Sequence, residues 1–368
     1  MTKLDRYIAR SVIGATLVVL LILSGLDLLF TLLDELGDTN EHYTLFDALE
    51  FVLLRLPAHL YEVLPMAGLI GALTGLGVLA SSNELVVMQA SGVSNLRIVW
   101  AVMKPALLLM LLGLVLGQWV VPHSEIRAVV NRASANGNVA GLSRYGHWER
   151  DGNTFMHFNT IEPQGILYGV SLFEFDAQRQ LLRTVAAERA VYTGEAQAGA
   201  PNWVLEQGRE RLFTRSDGSD SSGASISAEH RQFAALPWRV DLTPDLLQVL
   251  IITPDDMAIS DLYRYAERFS RQGQNADGYF LSFWKKLLQP LATAALVFVG
   301  ISFIFGPLRE ATMGSRLFTA IAFGLGFGIV QRLLQSMSLV YHVAPLPAVL
   351  LPILLCGGFG WLLFRRAA

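Results

Sequence analysis

The chain reads as an α+β membrane protein: six transmembrane helices, with an antiparallel β-jellyroll inserted between the third and the fourth. Three observations predict this. Hydrophobic residues make up 52% of the 368 and charged residues only 16%, against about 25% charged in ordinary soluble domains. The charges are also unevenly placed, 35 of the 59 lying between positions 122 and 282. Outside that segment, six stretches approach the ~20 apolar residues that cross a bilayer: 11–33, 60–80, 96–121, 287–305, 317–339 and 346–364.

The first stretch follows Lys3 and Arg6 but has no small-residue cleavage site, so it reads as an uncleaved first helix. Between the second and third, the run Ser81-Ser82-Asn83-Glu84-Leu85-Val86-Val87-Met88-Gln89-Ala90-Ser91-Gly92 opens on Ser-x-x-Glu and closes on glycine. That pattern predicts a capping box, a short helix near 82–91 and a C-terminal glycine cap. Such a helix is too short and polar to cross. It fits a plain connector, and it also fits a coupling helix that docks a partner. Gly71-x-x-x-Gly75 and Gly324-x-x-x-Gly328 permit close helix approach, within this chain or against a second membrane subunit.

The insert reads as β. Two strand-like runs flank the turn Asp151-Gly152-Asn153, and further β-prone runs cover 165–175, 181–193, 203–214 and 232–240. The cluster 216–223 is the most loop-like. Several short strands at this spacing suggest an antiparallel sandwich or jellyroll. After Pro254, Asp255 and Asp256 are placed to cap a helix whose Leu262, Tyr265 and Phe269 share one face. The resulting divisions are 1–121 with the short helix, 122–282 outside the membrane, and 283–368.

Lysine and arginine in the short loops set the orientation. Lys3, Arg6, Arg10, Arg97, Lys104, Arg309, Arg316, Arg365 and Arg366 fall on one side. The first loop on the other side carries Asp34, Glu35, Asp38, Glu41, Asp47 and Glu50 against Arg55. Both termini are therefore expected in the cytoplasm, with the insert outside, which in a bacterium is the periplasm.

Several chemistries are missing. None of the four lysines follows a glycine or precedes Ser or Thr, so there is no P-loop. No His-Glu-x-x-His or Gly-x-Ser-x-Gly run occurs, and the single cysteine, Cys356, forms no intrachain disulfide. A net charge of −3 offers no basic surface for nucleic acid. These absences argue against an enzyme; a membrane-anchored periplasmic enzyme with a dispersed site is the alternative from another class.

Ionisable groups near the outer span ends are the best pointers to a ligand. Asp27 and Arg332 lie toward the outer ends of spans one and five, and Lys285 and Lys286 stand at the outer mouth of span four. Charges at such depth usually pair or line a wet cavity. Either the lysines snorkel to phospholipid while Asp27 pairs with Arg332, or the cations serve an anionic headgroup in the outer leaflet.

The runs Leu4-Asp5-Arg6-Tyr7, Gly71-Ala72-Leu73-Thr74-Gly75-Leu76-Gly77, Glu84–Gly92, Ser302–Arg309 and Met313-Gly314 strongly resemble the LptF/LptG family, the permease subunits of the lipopolysaccharide export transporter. The Glu84–Gly92 run favours the LptG branch over LptF. The resemblance implies six membrane helices with a periplasmic jellyroll, and an inner-membrane LptF–LptG heterodimer enclosing a lipid cavity. It implies two LptB ATPases on the coupling helices, with Glu84, Leu85 and Met88 as the contact here. ATP and magnesium would belong to that partner, leaving no cofactor in this chain. It further implies LptC beside the spans and a bridge continuing through LptA. The cations that remain for lipid phosphate are Lys285, Lys286, Arg332 and Arg55, because the end of span one, where the family carries basic residues, has only acids here. A bridging divalent cation is a second way for that acidic stretch to act. The alternatives within the transporter class are LptF itself or another ABC permease with a periplasmic domain.

Overall fold

A computed structural model describes residues 3–40, 42–135, 147–162, 165–194, 202–216, 225–240, 242–244, 247, 252–271, 275–308 and 311–367. Arg309 and most of the 216–223 cluster lie outside the described residues. The chain divides into two units, Met1–Gly37 with Val52–Glu125 and Pro254–Ala368, and Asp38–Phe51 with Ile126–Thr253.

Among the described residues, six helices are long and apolar enough to span, and they match the six stretches. They are α1 (Lys3–Gly37), α2 (Leu45–Ser81), α4 (Asn95–Val115) continuing through a π-helical turn at Leu116–Val120 into α5 (Val121–Ala135), α7 (Asp277–Phe305), α8 (Met313–Tyr341) and α9 (Pro345–Ala367). The short α3 (Glu84–Ala90) stands between α2 and α4, and α6 (Ile259–Arg271) precedes α7. Several of the helices outrun their apolar stretch, because helical hydrogen bonding continues into polar turns at their ends. Prolines 57, 65, 105, 290 and 352 sit inside helices, a placement that neighbouring helices make tolerable in membrane proteins.

The spans pack unequally. Most of the apolar window of α2 is buried (72%), against 11% for α8. The core gathers Leu69, Leu73 and Leu76 of α2, Leu296, Val299 and Ile304 of α7, Val102 of α4 and Ile353 of α9. Close approach to α1 depends on small residues. A Cβ on Gly71 would meet Thr16 Cα at 2.7 Å, and one on Gly75 would meet Val12 Cα at 2.7 Å. Ser11 Oγ then donates to Gly75 O at 2.9 Å. The first glycine pair is thus spent within the chain. Of the second, Gly324 meets Met66 and Leu69, while Gly328 faces open space.

In the other unit, seven strands form one antiparallel sheet. They are β1 (His147–Asp151), β2 (Thr154–Phe158), β3 (Thr160–Glu162), β4 (Ile166–Phe175), β5 (Leu181–Tyr192), β6 (Trp203–Ser216) and β7 (Ser225–Trp238). The order is β1-β2-β4-β5-β6-β7, with β3 beside β4. The antiparallel insert between spans three and four is present as expected, and its described ladders follow chain order as a meander. The Asp151-Gly152 turn forms, Gly152 taking φ +57°, and registers Arg150 against Phe155. Alternation buries Met156, Phe158, Leu167, Val170, Leu172, Val185, Trp203 and Leu205. Trp203 Nε1 donates to Leu242 O at 2.9 Å and Asn202 Nδ2 to Val240 O at 2.6 Å, holding the chain that leaves β7. A cavity of 180 Å³ opens among Met156, Leu172, Leu205, Trp238, Glu174 and Arg183.

Candidate functional site

At one end of the spans, α3 is seated by Leu85 and Met88. Leu85 is buried and Met88 packs on the core cluster that holds Leu76, Leu79 and Ile98. Val86 and Val87, 46% and 65% exposed, point away from it. The helix does not start as the sequence suggests. Ser81 still belongs to α2 and its Oγ donates back to Val78 O at 2.9 Å. The capping residue is Asn83, left-handed at φ 61° and with no side-chain cap, so Ser-x-x-Glu forms no capping box. Glu84 becomes the first helical residue, where a carboxylate still favours the positive end of the helix dipole. Ser82 Oγ donates to its Oε1 at 3.1 Å. The other end is as expected. Gly92 takes φ +88°, Val93 N–H donates to Met88 O at 3.1 Å and Gly92 N–H to Gln89 O at 3.0 Å, a Schellman closure.

The basic residues singled out at the opposite ends of the spans fall in different settings. Lys286 is almost fully buried, its ammonium donating to Met257 O at 2.6 Å and lying 5.6 Å from the centre of the Tyr61 ring. Lys285 remains partly exposed and pairs with Asp255 at 3.0 Å. Asp255 does not cap α6; it accepts from Ser282 Oγ at 2.7 Å as well. Burial opposes ionisation of its carboxyl, but the Lys285 ammonium, the Ser282 hydroxyl and the nearby Lys286 charge outweigh burial and hold it below the usual carboxylate range. Arg55 donates to the buried Glu125 at 3.1 Å. Arg332 is exposed on α8. The alternative pairing of Asp27 with Arg332 does not form, because Asp27 of α1 is paired with His59 of α2. The four cations therefore do not form one free basic site: Lys285 and Lys286 share a cluster with Asp255, Arg55 is taken up by Glu125 and shares the field of Asp256 with Lys286, and Arg332 is exposed on α8.

Sequence reasoning did not single out His59, Tyr61 or the π-helical turn. Tyr61 packs against Gly117 within that turn, where an added Cβ would lie 2.8 Å from its ring, and Gln118 of the turn donates to Ser260 at 2.9 Å. A histidine or tyrosine inside an apolar stretch was the available signal. The turn itself has no sequence mark.

The family model described as "Lipopolysaccharide export system permease LptF/LptG" matches residues 6–366. The chain is 35% identical to the lipopolysaccharide export system permease protein LptG of Escherichia coli (strain K12) over 351 residues, 95% of this chain and 94% of that protein. It is 33% identical to the LptG protein of Haemophilus influenzae (strain ATCC 51907 / DSM 11121 / KW20 / Rd) over 365 residues, 99% and 98% of the two chains. A match over nearly the whole length, on a chain with six apolar spans and an antiparallel sheet between the third and fourth, places it in a family: the chain belongs to the LptF/LptG family of lipopolysaccharide export permeases.

Proposed function

We propose that this chain is an LptG-type permease subunit that extracts lipopolysaccharide from the outer leaflet of the inner membrane under the power of a separate ATPase. The observation that carries the motor coupling is α3. Leu85 and Met88 anchor it inward while Glu84 and the exposed Val86 and Val87 are left at the surface of a short helix between two spans. A helix so seated can receive a push and pass it to the spans it is packed on. LptF would complete the cavity, two LptB subunits would bind ATP and magnesium, and LptC and then LptA would continue the path outward. Both termini and α3 would face the cytoplasm and the sheet the periplasm.

The sheet's contribution follows from the cost of wetting acyl chains, about 0.8 kcal/mol for each exposed CH₂. Its apolar face is the surface suited to cover them, whereas the cavity beside Met156 and Leu172 is also lined by Asp151, Glu174, Arg183 and Arg239 and is largely polar. Toward lipid phosphate, the accessible cations are Arg332 and the half-exposed Lys285; Lys286 serves the interior and Arg55 is committed to Glu125.

Purification from bacterial membranes tests the reading. The wild-type chain should bring LptF, an ATPase and lipopolysaccharide with it, and Val87→Asp should lose most of the ATPase while keeping LptF. Recovery of the chain without an ATPase, or undiminished ATPase on Val87→Asp, would overturn the coupling role of α3.

A further inference from the structure

Arg316 stands in the first turn of α8, and its side chain is buried at 3% exposure. Its Nη1 donates to Gly77 O at 2.7 Å and its Nε to Leu308 O at 3.2 Å. Its own N–H bonds Thr312 O, which begins α8, at 3.0 Å. Gly77 lies near the end of α2, in the stretch that delivers the chain to α3. Leu308 lies in the turn by which the chain leaves α7. One arginine therefore joins three pieces of backbone at the α3 end of the spans, two of them through its guanidinium.

The geometry of the group makes this a clamp. A guanidinium is a planar fork with donors at fixed angles, so bonding two carbonyls at once fixes them relative to each other. The seat is also tight: a Cβ on Gly77 would lie 3.3 Å from both Cδ and Nη1 of Arg316. The surrounding packing agrees. Leu85 of α3, Leu76 and Leu79 of α2, Leu308 of the turn after α7 and Ala320 of α8 belong to one apolar cluster. Beyond this point α8 is the least enclosed span in the chain, so a tilt imposed at its first turn meets little resistance from the chain's own core.

We propose that Arg316 is a positioning residue for transport, clamping the end of α2 to the start of α8 so that displacement of α3 by a motor is delivered to α8. This rests on the reading of α3 as the motor-facing helix. Without the clamp, a push on α3 would be absorbed in the turn around Gly306–Leu308 and the unwound residues between α2 and α3.

The test uses the full permease–ATPase complex in proteoliposomes, with lipopolysaccharide release and ATP hydrolysis measured together. Arg316→Ala should keep ATPase copurification and hydrolysis while lowering lipopolysaccharide released per ATP by about fivefold or more. Arg316→Lys, which keeps one donor but not the fork, should recover part of the loss. Gly77→Ala keeps the arginine but sets a Cβ 3.3 Å from its Cδ and Nη1, so the fork must shift; the change favours the helix by up to about 1 kcal/mol, so it should fold and still lower release per ATP. Unchanged release per ATP in Arg316→Ala overturns the proposal. So does a fall in release matched by an equal fall in hydrolysis, which marks a merely structural role. If instead the wild-type chain retains no ATPase, it is the reading of α3 that fails.

Discussion

At the scale of single residues, Lys286 shows how a charge legible in the sequence can have an illegible role. Two adjacent lysines at the mouth of a span suggest contact with lipid phosphate. Their neighbours in space are a backbone carbonyl at Met257, the Tyr61 ring and Asp255, none of which spacing along the chain reveals. The buried lysine loses hydration and recovers it through one hydrogen bond and a ring face. Lys286→Ala should therefore cost about 2 kcal/mol, from an unsatisfied carbonyl and a cavity. Lys286→Met, which fills the space without burying charge, should cost less. Thermal unfolding in detergent separates the two; equal losses would mean that the charge, not the packing, matters. Lys285→Ala should cost less than about 1 kcal/mol, since water screens its partly exposed pair. Asp255 adds a pH dependence of known sign. Its carboxyl is held below the usual range in the folded chain, so its stabilisation is complete above the unfolded value near 4 and is lost as pH falls through the folded one. Acid should lower the melting temperature of the wild type more steeply than that of Asp255→Asn. Parallel acid losses in the two would show that this carboxyl is not linked to folding.

At the scale of elements, apolar length predicted all six spans, because bilayer thickness leaves few solutions. The antiparallel strands were legible through turn residues such as Gly152, whose positive φ a side chain would disfavour. Capping was legible only in part. Gly92 closes α3 as its chemistry suggests, but Ser81 stays inside α2 and the cap falls two residues later, on Asn83, so no capping box forms. Local motifs fix an end only when the preceding helix stops in time, and α2 runs on. The glycine motifs show the same limit: spacing marks two close-approach sites, and packing decides which is used. Gly71→Ala would drive a Cβ into the backbone of Thr16, so it should cost about 1–3 kcal/mol or more. Gly328→Ala enters open space and should gain up to about 1 kcal/mol from helix propensity. Melting temperatures that fall for the first and hold or rise for the second are the expected result. An equal fall for Gly328→Ala would show that this glycine is packed after all, and no fall for Gly71→Ala would remove the contact at Thr16.

At the scale of the whole molecule, the distribution of charge makes a prediction about sidedness that can be read directly. Lysine and arginine flank the ends of the spans near α3, while the loop between α1 and α2 is strongly acidic, and positive loops are retained in the cytoplasm. With three spans before them, the strands between the third and the fourth are then expected to face the periplasm. The chain lends itself to the measurement because its one cysteine, Cys356, is buried in α9 at 5% exposure and should stay unlabelled in the folded protein. Ser91→Cys, beside α3, and Glu188→Cys, on the exposed face of β5, place single thiols at accessible positions of the two units. A membrane-impermeant maleimide added to spheroplasts should label Glu188→Cys at once and Ser91→Cys only after lysis. The reverse order would invert the molecule and put α3 beyond the reach of any cytoplasmic ATPase. Labelling of both before lysis would break the even count of spans on which the assignment stands.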